Sequence, residues 1–198
     1  MRRLATFAII PLLIAACGSN SKSSSGSTTG QSAASVPAAS QKGVDLGLPG
    51  EPQGTLTFTG LAQTHLDTPI EYPQTPPVGG PHNPAWQNCQ YYDTAVPNER
   101  AVHSLEHGAV WITYAPETSQ ADRDVLKALA GTGDHILVSE YPGLPSPIVA
   151  TAWGKQLQLP SVKDPRLKQF VDFFLGGSQT PEPGASCSNS TSDVTPVG

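Results

Sequence analysis

Apolar and polar positions follow two different periods along this chain, and the switches between them predict its elements. "GTLTFTG" at 54–60 sets Leu56 and Phe58 among threonines, the period of two expected of a half-buried strand. "AVWITYA" at 109–115 has the β-branched and aromatic content of a fully buried strand. "HILVSEY" (135–141) and "PIVATAW" (147–153) flank "PGLPS", which predicts two strands joined by a proline-constrained turn, and "KQLQL" can return as another short strand.

Three stretches carry the helical period instead. Asn98, placed after Pro97, suits an N-cap, Glu99 suits the first turn and Gly108 suits a left-handed stop, so a helix of about nine residues is expected over "NERAVHSLEH". Ser119 with Asp122 resembles a capping box ahead of "ADRDVLKALAG", where Ala121, Val125, Leu126 and Leu129 form an apolar face and Gly131 ends the run. Asp164 and Pro165 read as N-cap and first helical residue, and Leu167, Phe170, Val171 and Phe174 follow at i, i+3, i+4 and i+7 before Gly176 and Gly177.

From His65 to Pro97 neither period holds, and prolines recur throughout. Regular structure is not expected there. The segment nevertheless carries Trp86, Tyr72, Tyr91, Tyr92 and Cys89, residue types that solvated tails lack, so it reads as an ordered functional loop. The resulting fold class is α+β. It is a single small domain with a mixed or antiparallel sheet of about four strands packed with about three helices, plus a long proline-rich loop. About 130 residues, from roughly 50 to 185, suffice for one core. No internal repeat, phosphate loop or dinucleotide fingerprint occurs.

The two ends of the chain differ from this middle. "MRRLATFAIIPLLIAAC" has a basic start, an apolar run from Leu4 to Ile14 and small residues before Cys17, which predicts a lipoprotein signal peptide over 1–16. The run is too short for an ordinary transmembrane helix. "IAAC" resembles a lipobox, so Cys17 is expected to carry the lipid and to tether the protein to the outer face of the cell membrane. Residues 17–50 then form the lipidated cysteine and a flexible Ser/Gly-rich linker, in which 18–42 spans on the order of 25 to 30 Å. The globular domain is expected over 51–187, followed by a disordered tail over 188–198.

Charge narrows the partners. Without Arg2 and Arg3 the mature chain keeps 9 basic against 16 acidic residues and has no basic stripe, so nucleic acid is not an expected partner. Of the three cysteines, lipidation uses Cys17 and leaves Cys89 and Cys187. In an oxidising compartment these read as a disulfide, with a role as thiolate ligands as the rival reading. A bridge closing nearly 100 residues would stabilise the fold by up to about 4 to 5 kcal/mol.

The chemistry concentrates in "VHSLEHG". On a helical wheel with His103 at 0°, His107 falls at about 40° and Glu106 at about −60°, while Leu105 and Ala101 lie near 200° and 160°. The two histidines therefore oppose the apolar side, as a metal-binding pair or as an exposed one. Imidazoles at i and i+4 can meet one ion. His65 and His82, in the proline-rich loop, complete a candidate set of four neutral imidazoles suited to copper or zinc, and His135 reads as incidental. Binding should weaken below about pH 6.5, where imidazole titrates.

Two other functions compete with non-catalytic metal binding. The stretch matches His-x-x-Glu-His, the inverted zincin motif, in which Glu106 would be the general base of a metal-dependent hydrolase. Such an enzyme takes a further carboxylate ligand far downstream. Glu182 is the candidate, in a Pro/Gly tail that looks poorly fixed. Alternatively the loop, through Trp86 or Tyr91, contacts an unidentified cell-envelope protein without any metal. Trp86, Trp111 and Trp153 otherwise read as core or loop anchors.

"YPQTPPVGGPHNPAWQNCQYYDTAVPNERAVHSLEHGAVWITYAP", with "IVATAW" downstream and "QTPEPGASC" later still, resembles the domain of unknown function 3105 family of secreted and membrane-anchored bacterial proteins. The likeness covers roughly 54–187. It implies no established activity, but His65, His82, Cys89, His103, Glu106, His107 and Cys187 fall within or beside the blocks that make the family recognisable.

Overall fold

Four strands and three helices supply the core, and the alternation of side chains along one strand explains how they are arranged. In a computed structural model, which describes residues 42–198 and the backbone of 34–35, the elements are β1 (Ala34–Ser35), β2 (Val44–Asp45), β3 (Leu56–Thr57), β4 (Ile70–Glu71), α1 (Asn98–Glu106), β5 (Val110–Tyr114), α2 (Gln120–Ala130), β6 (Ile136–Glu140), β7 (Ile148–Ala152), β8 (Lys155–Leu159) and α3 (Pro165–Phe174). The main sheet has the order β2-β3-β8-β7-β5-β6, with β5 and β6 parallel and the other pairs antiparallel. The described residues lie within one compact unit, Gln31–Gly198.

Strand β5 is buried along its whole length because both faces of the sheet are covered. Val110, Ile112 and Tyr114 point to one face, where Leu126 of α2 and Leu167, Phe170, Val171 and Phe174 of α3 pack against them. Trp111 points to the other, with Leu137, Trp153 and, from α1, Ala101, Val102 and Leu105. A period of two in the strand thus sorts one apolar run into two cores.

The α+β class is as expected, and the sheet is larger than expected. The additional strand β2 is two residues long and held by backbone pairing of Val44 with Thr57, so side-chain pattern reveals little of it, while β3 falls within the strand expected over 54–60 and β8 is the expected return of "KQLQL". Residues 42–50, expected in the linker, therefore contribute an edge strand. The signal peptide, Cys17 and the linker up to residue 41, strand β1 aside, lie outside the described residues. Among the described residues no helix is long and apolar enough to cross a membrane.

Helix ends follow their local chemistry with one exception. The Asp164 carboxylate accepts from Arg166 N at 3.0 Å and Ser119 Oγ accepts from Asp122 N at 3.2 Å, as capping predicts. At α1 the cap position belongs to Pro97, which offers no side-chain bond, and Asn98 is instead the first helical residue, donating to the Tyr141 hydroxyl at 3.2 Å. On α2 only Leu126 is fully buried. Val125 is 47% exposed and lines an open groove between α2 and α3.

The segment expected as a disordered tail runs along the proline-rich loop. Asn88 N donates to Thr191 O at 2.8 Å, and Arg100 Nη1 donates to Asp193 O at 2.9 Å. Its polarity serves backbone pairing with an equally irregular neighbour, a need that composition does not reveal.

Candidate metal centre

Helix α1 is buried on all sides, which a wheel of its residues does not suggest. Ala101, Val102 and Leu105 face the sheet, and the opposite side, with His103, Glu106 and His107, is roofed by the proline-rich loop and by residues 182–188. His103 and His107 are only 4% and 5% exposed, so they are not a solvated pair. The loop is ordered because the helix satisfies its backbone. Asn83 N donates to Glu99 O, Gln87 N donates to Arg100 O, and Ser104 Oγ donates to Gln87 O at 2.6 Å.

The same loop folds back on itself through a parallel bridge between His65 and His82. Leu66 N donates to His82 O at 2.7 Å and His82 N donates to Thr64 O at 2.9 Å. Bridged residues send their side chains to the same face. The two rings consequently lie 4.7 Å apart, and the His103 ring is within 4.9 Å of both.

One donor atom from each of His65, His82, His103 and Glu106 lies within 4.8 Å of all the others, a group that could hold a metal ion. Glu106 Oε2 stands 2.8 Å from His82 Nε2 and 3.5 Å from His65 Nε2. The expected four-histidine set is thus brought together in part. Glu106 takes the place in the compact group that His107 was expected to fill, and His107 sits one step away, its Nε2 2.9 Å from His103 Nε2. His135 is outside the group and donates from Nε2 to Ala185 O.

Backbone carbonyls fix which ring nitrogens carry protons. A carbonyl oxygen can only accept, so Nδ1 of His82 donates to Gly80 O (2.8 Å), Nδ1 of His103 to Asn83 O (2.6 Å) and Nδ1 of His107 to Ser186 O (2.6 Å). In the neutral rings each Nε2 is then a bare lone pair turned inward. Burial pushes the His82 and His103 imidazoles down to about 4, and the neighbouring imidazoles act in the same direction. Burial also raises the Glu106 carboxyl above its ordinary value, with Glu182 adding to the rise. With Nε2 unprotonated, the 2.8 Å contact of His82 with Glu106 and the 2.9 Å contact of His103 with His107 turn electron-rich donor atoms toward each other, an arrangement that a metal cation relieves.

Aromatic rings line the cluster. Trp153 meets His82 edge-on at 5.9 Å, and Trp86 lies 4.8 Å from the His107 ring. Trp86 Nε1 donates to Ser188 O, and Tyr91 stacks on Tyr114. His65, 45% exposed at its side chain, is the one ring of the cluster that reaches solvent.

The Cys89–Cys187 pair is a disulfide, not a thiolate ligand set. It holds the segment that supplies Ser186 O to His107, and Cys89 N donates to Cys187 O at 2.7 Å beside it. Glu182, expected in a poorly fixed tail, is anchored by its own backbone N, which donates to Glu106 O at 3.1 Å, and its Oε2 lies 3.4 Å from His107 Nε2. The orienting carbonyls of Gly80, Asn83 and Ser186 have no signature in sequence, because every residue owns a carbonyl. Glu106 as a donor had one, its place between two histidines of the same helix.

The family model described as protein of unknown function (DUF3105) matches residues 63–189, and the chain belongs to that family. No curated protein and no solved structure matches the chain.

Proposed function

We propose that this member of the DUF3105 family binds a divalent transition-metal ion, copper or zinc, through His65, His82, His103 and Glu106, as a non-catalytic site outside the cytoplasm. One observation carries the reading: buried imidazoles, locked by backbone carbonyls with their Nε2 lone pairs inward, converge with a buried carboxylate. Metal-ligating histidines commonly donate their other N–H in this way. Spacing supports it as well. Two donors on an ion about 2.0 to 2.2 Å away stand roughly 2.9 Å apart at a right angle and roughly 3.4 Å apart at a tetrahedral one. The Glu106 contacts measure 2.8 and 3.5 Å. Three imidazoles and one carboxylate form a nitrogen-rich set that suits copper or zinc better than magnesium or calcium.

The lipid tether at Cys17 belongs to the same proposal. It is supported by the "IAAC" stretch and by the disulfide, which favours an oxidising compartment. The membrane would then be a partner only through the acyl chains.

Elemental analysis of the untagged protein after dialysis tests the site. We expect at least one ion per chain, and its loss in His82→Ala and His103→Ala. Equal metal content in native and substituted proteins would overturn the proposal.

A hydrolase reading retains one observation in its favour, the approach of Glu182 to His107 within a His-x-x-Glu-His frame. Against it, Glu106 Oε2 is held between His82 and His65, the position of a ligand more than of a free base. Glu106→Gln separates the two. A ligand role predicts weakened metal binding, whereas a base role predicts unchanged binding with loss of turnover on a peptide or ester panel.

A further inference from the structure

The six titratable side chains in and around the cluster divide into two similar triads. The first is His65, His82 and Glu106, with contacts of 2.8 and 3.5 Å. In the second, His103 Nε2 lies 2.9 Å from His107 Nε2, which in turn lies 3.4 Å from Glu182 Oε2. Each triad contains two imidazoles and one carboxylate, and each has one contact near the right-angle spacing and one near the tetrahedral spacing of two ligands on a common ion.

We propose that the protein holds a second divalent ion, bound by His103, His107 and Glu182 beside the ion held by His65, His82 and Glu106. The inference rests on the one-ion reading above and extends it. His103 is the shared element, since its ring stacks on His65 at 4.9 Å and meets His107 edge-on at 4.5 Å. With one ion present it completes the first set. With two it serves the second, and the first keeps three protein ligands and an open position.

The observation that points to a second cation is the crowding of donor atoms at His107, which one ion held by the first set leaves in place. His107 gives its Nδ1 proton to Ser186 O, so its Nε2 lone pair faces that of His103, and a Glu182 oxygen approaches the same nitrogen. A proton on His107 could bridge only one of those acceptors well, because a single N–H has one direction. An ion between the three donors satisfies all of them at once.

Each triad has one member that reaches solvent, Glu182 at 51% side-chain exposure in the second and His65 at 45% in the first. The second ion binds beside a positive charge already in place, so it is the weaker and more exchangeable of the two. A 2-His-1-carboxylate set with open positions is one that ligands from solution can also reach.

Equilibrium dialysis of the full protein against zinc(II) alone, read by elemental analysis, tests this with Glu182→Gln and His107→Ala as variants and circular dichroism as the check on folding. We expect two equivalents in the native protein, with the second at least tenfold weaker, and one equivalent in each variant. Copper(II) loading should add a spin-coupled loss of the copper resonance signal at two equivalents that Glu182→Gln does not show. One equivalent in the native protein, unchanged in Glu182→Gln, would overturn the second site and leave the first standing. Two equivalents surviving Glu182→Gln would place the second ion elsewhere and also overturn it. No bound zinc or copper in any protein would overturn the one-ion reading as well. If His107→Ala fails to fold, the Glu182→Gln result decides alone.

Discussion

His103 and His107 present their Nε2 atoms to each other at 2.9 Å, while each ring spends its Nδ1 proton on a carbonyl from a different part of the chain, Asn83 for one and Ser186 for the other. Two Nε2 lone pairs so held repel. The strain is local and electrostatic, and the next expectation follows from it.

Metal should stabilise the fold. An ion that binds only the native state at a hundred times its dissociation constant adds about 2.7 kcal/mol. In a domain of this size that raises the melting temperature by on the order of 5 to 10 °C. Thermal unfolding with and without zinc(II), then with excess chelator, measures it, and a melting curve indifferent to both would contradict the site.

Acid should destabilise the metal-free protein. His82 and His103 are held near 4 in the fold, against an ordinary value of 6.5. Between those values the unfolded chain binds more protons than the native one, so stability falls as pH is lowered through the window, by up to about 3 kcal/mol for each ring. Glu106 acts in the opposite sense. Its raised folded value contributes stability present at low pH and lost as pH rises through that value, which offsets part of the fall. Urea midpoints at pH 7 and pH 5 in the presence of chelator should differ, with the lower value at pH 5.

Breaking the disulfide should cost both stability and metal affinity. Cys89→Ser with Cys187→Ser removes a constraint worth up to about 4 to 5 kcal/mol and loosens the segment that bears Ser186 and Glu182. Loss of an orienting partner typically weakens metal affinity about 10- to 100-fold. Zinc titration of the oxidised protein and of the double variant checks this. Equal affinities would show that the segment does not orient the ligands.

Gly108 should resist replacement. Its φ of 96° lies where side chains are disfavoured, and a Cβ there would meet the Gly176 Cα at 3.0 Å and Thr180 at 3.2 Å. Gly108→Ala is expected to destabilise by about 1 to 3 kcal/mol, read from denaturant unfolding.

Much of the fold was legible because it obeys simple periods. Phe170 and Phe174 fall on a helical stripe, Val110, Ile112 and Tyr114 belong to a run whose β-branched and aromatic content marks a buried strand, and each is buried as expected. What escaped was whatever depends on backbone meeting backbone. Val44 and Thr57 pair through peptide groups, and Thr191 beside Asn88 does the same. The site divides along the same line. His65, His82 and His103 were visible as imidazoles on a loop and a helix, but wheel geometry could not show that the loop would roof the helix. That roof is what turned His103 and His107 from a surface pair into a buried one and set Glu106 among the donors.

The roof over the histidines has a consequence for biosynthesis. His65 through His107 leave the ribosome well before Ser186 and Cys187, so for an interval the imidazoles exist without the carbonyl that steers His107 or the bridge that fastens it. If the proposed ion binds, its full set of orienting contacts exists only once the segment bearing Ser186 has docked, so uptake would follow closure of the Cys89–Cys187 bridge.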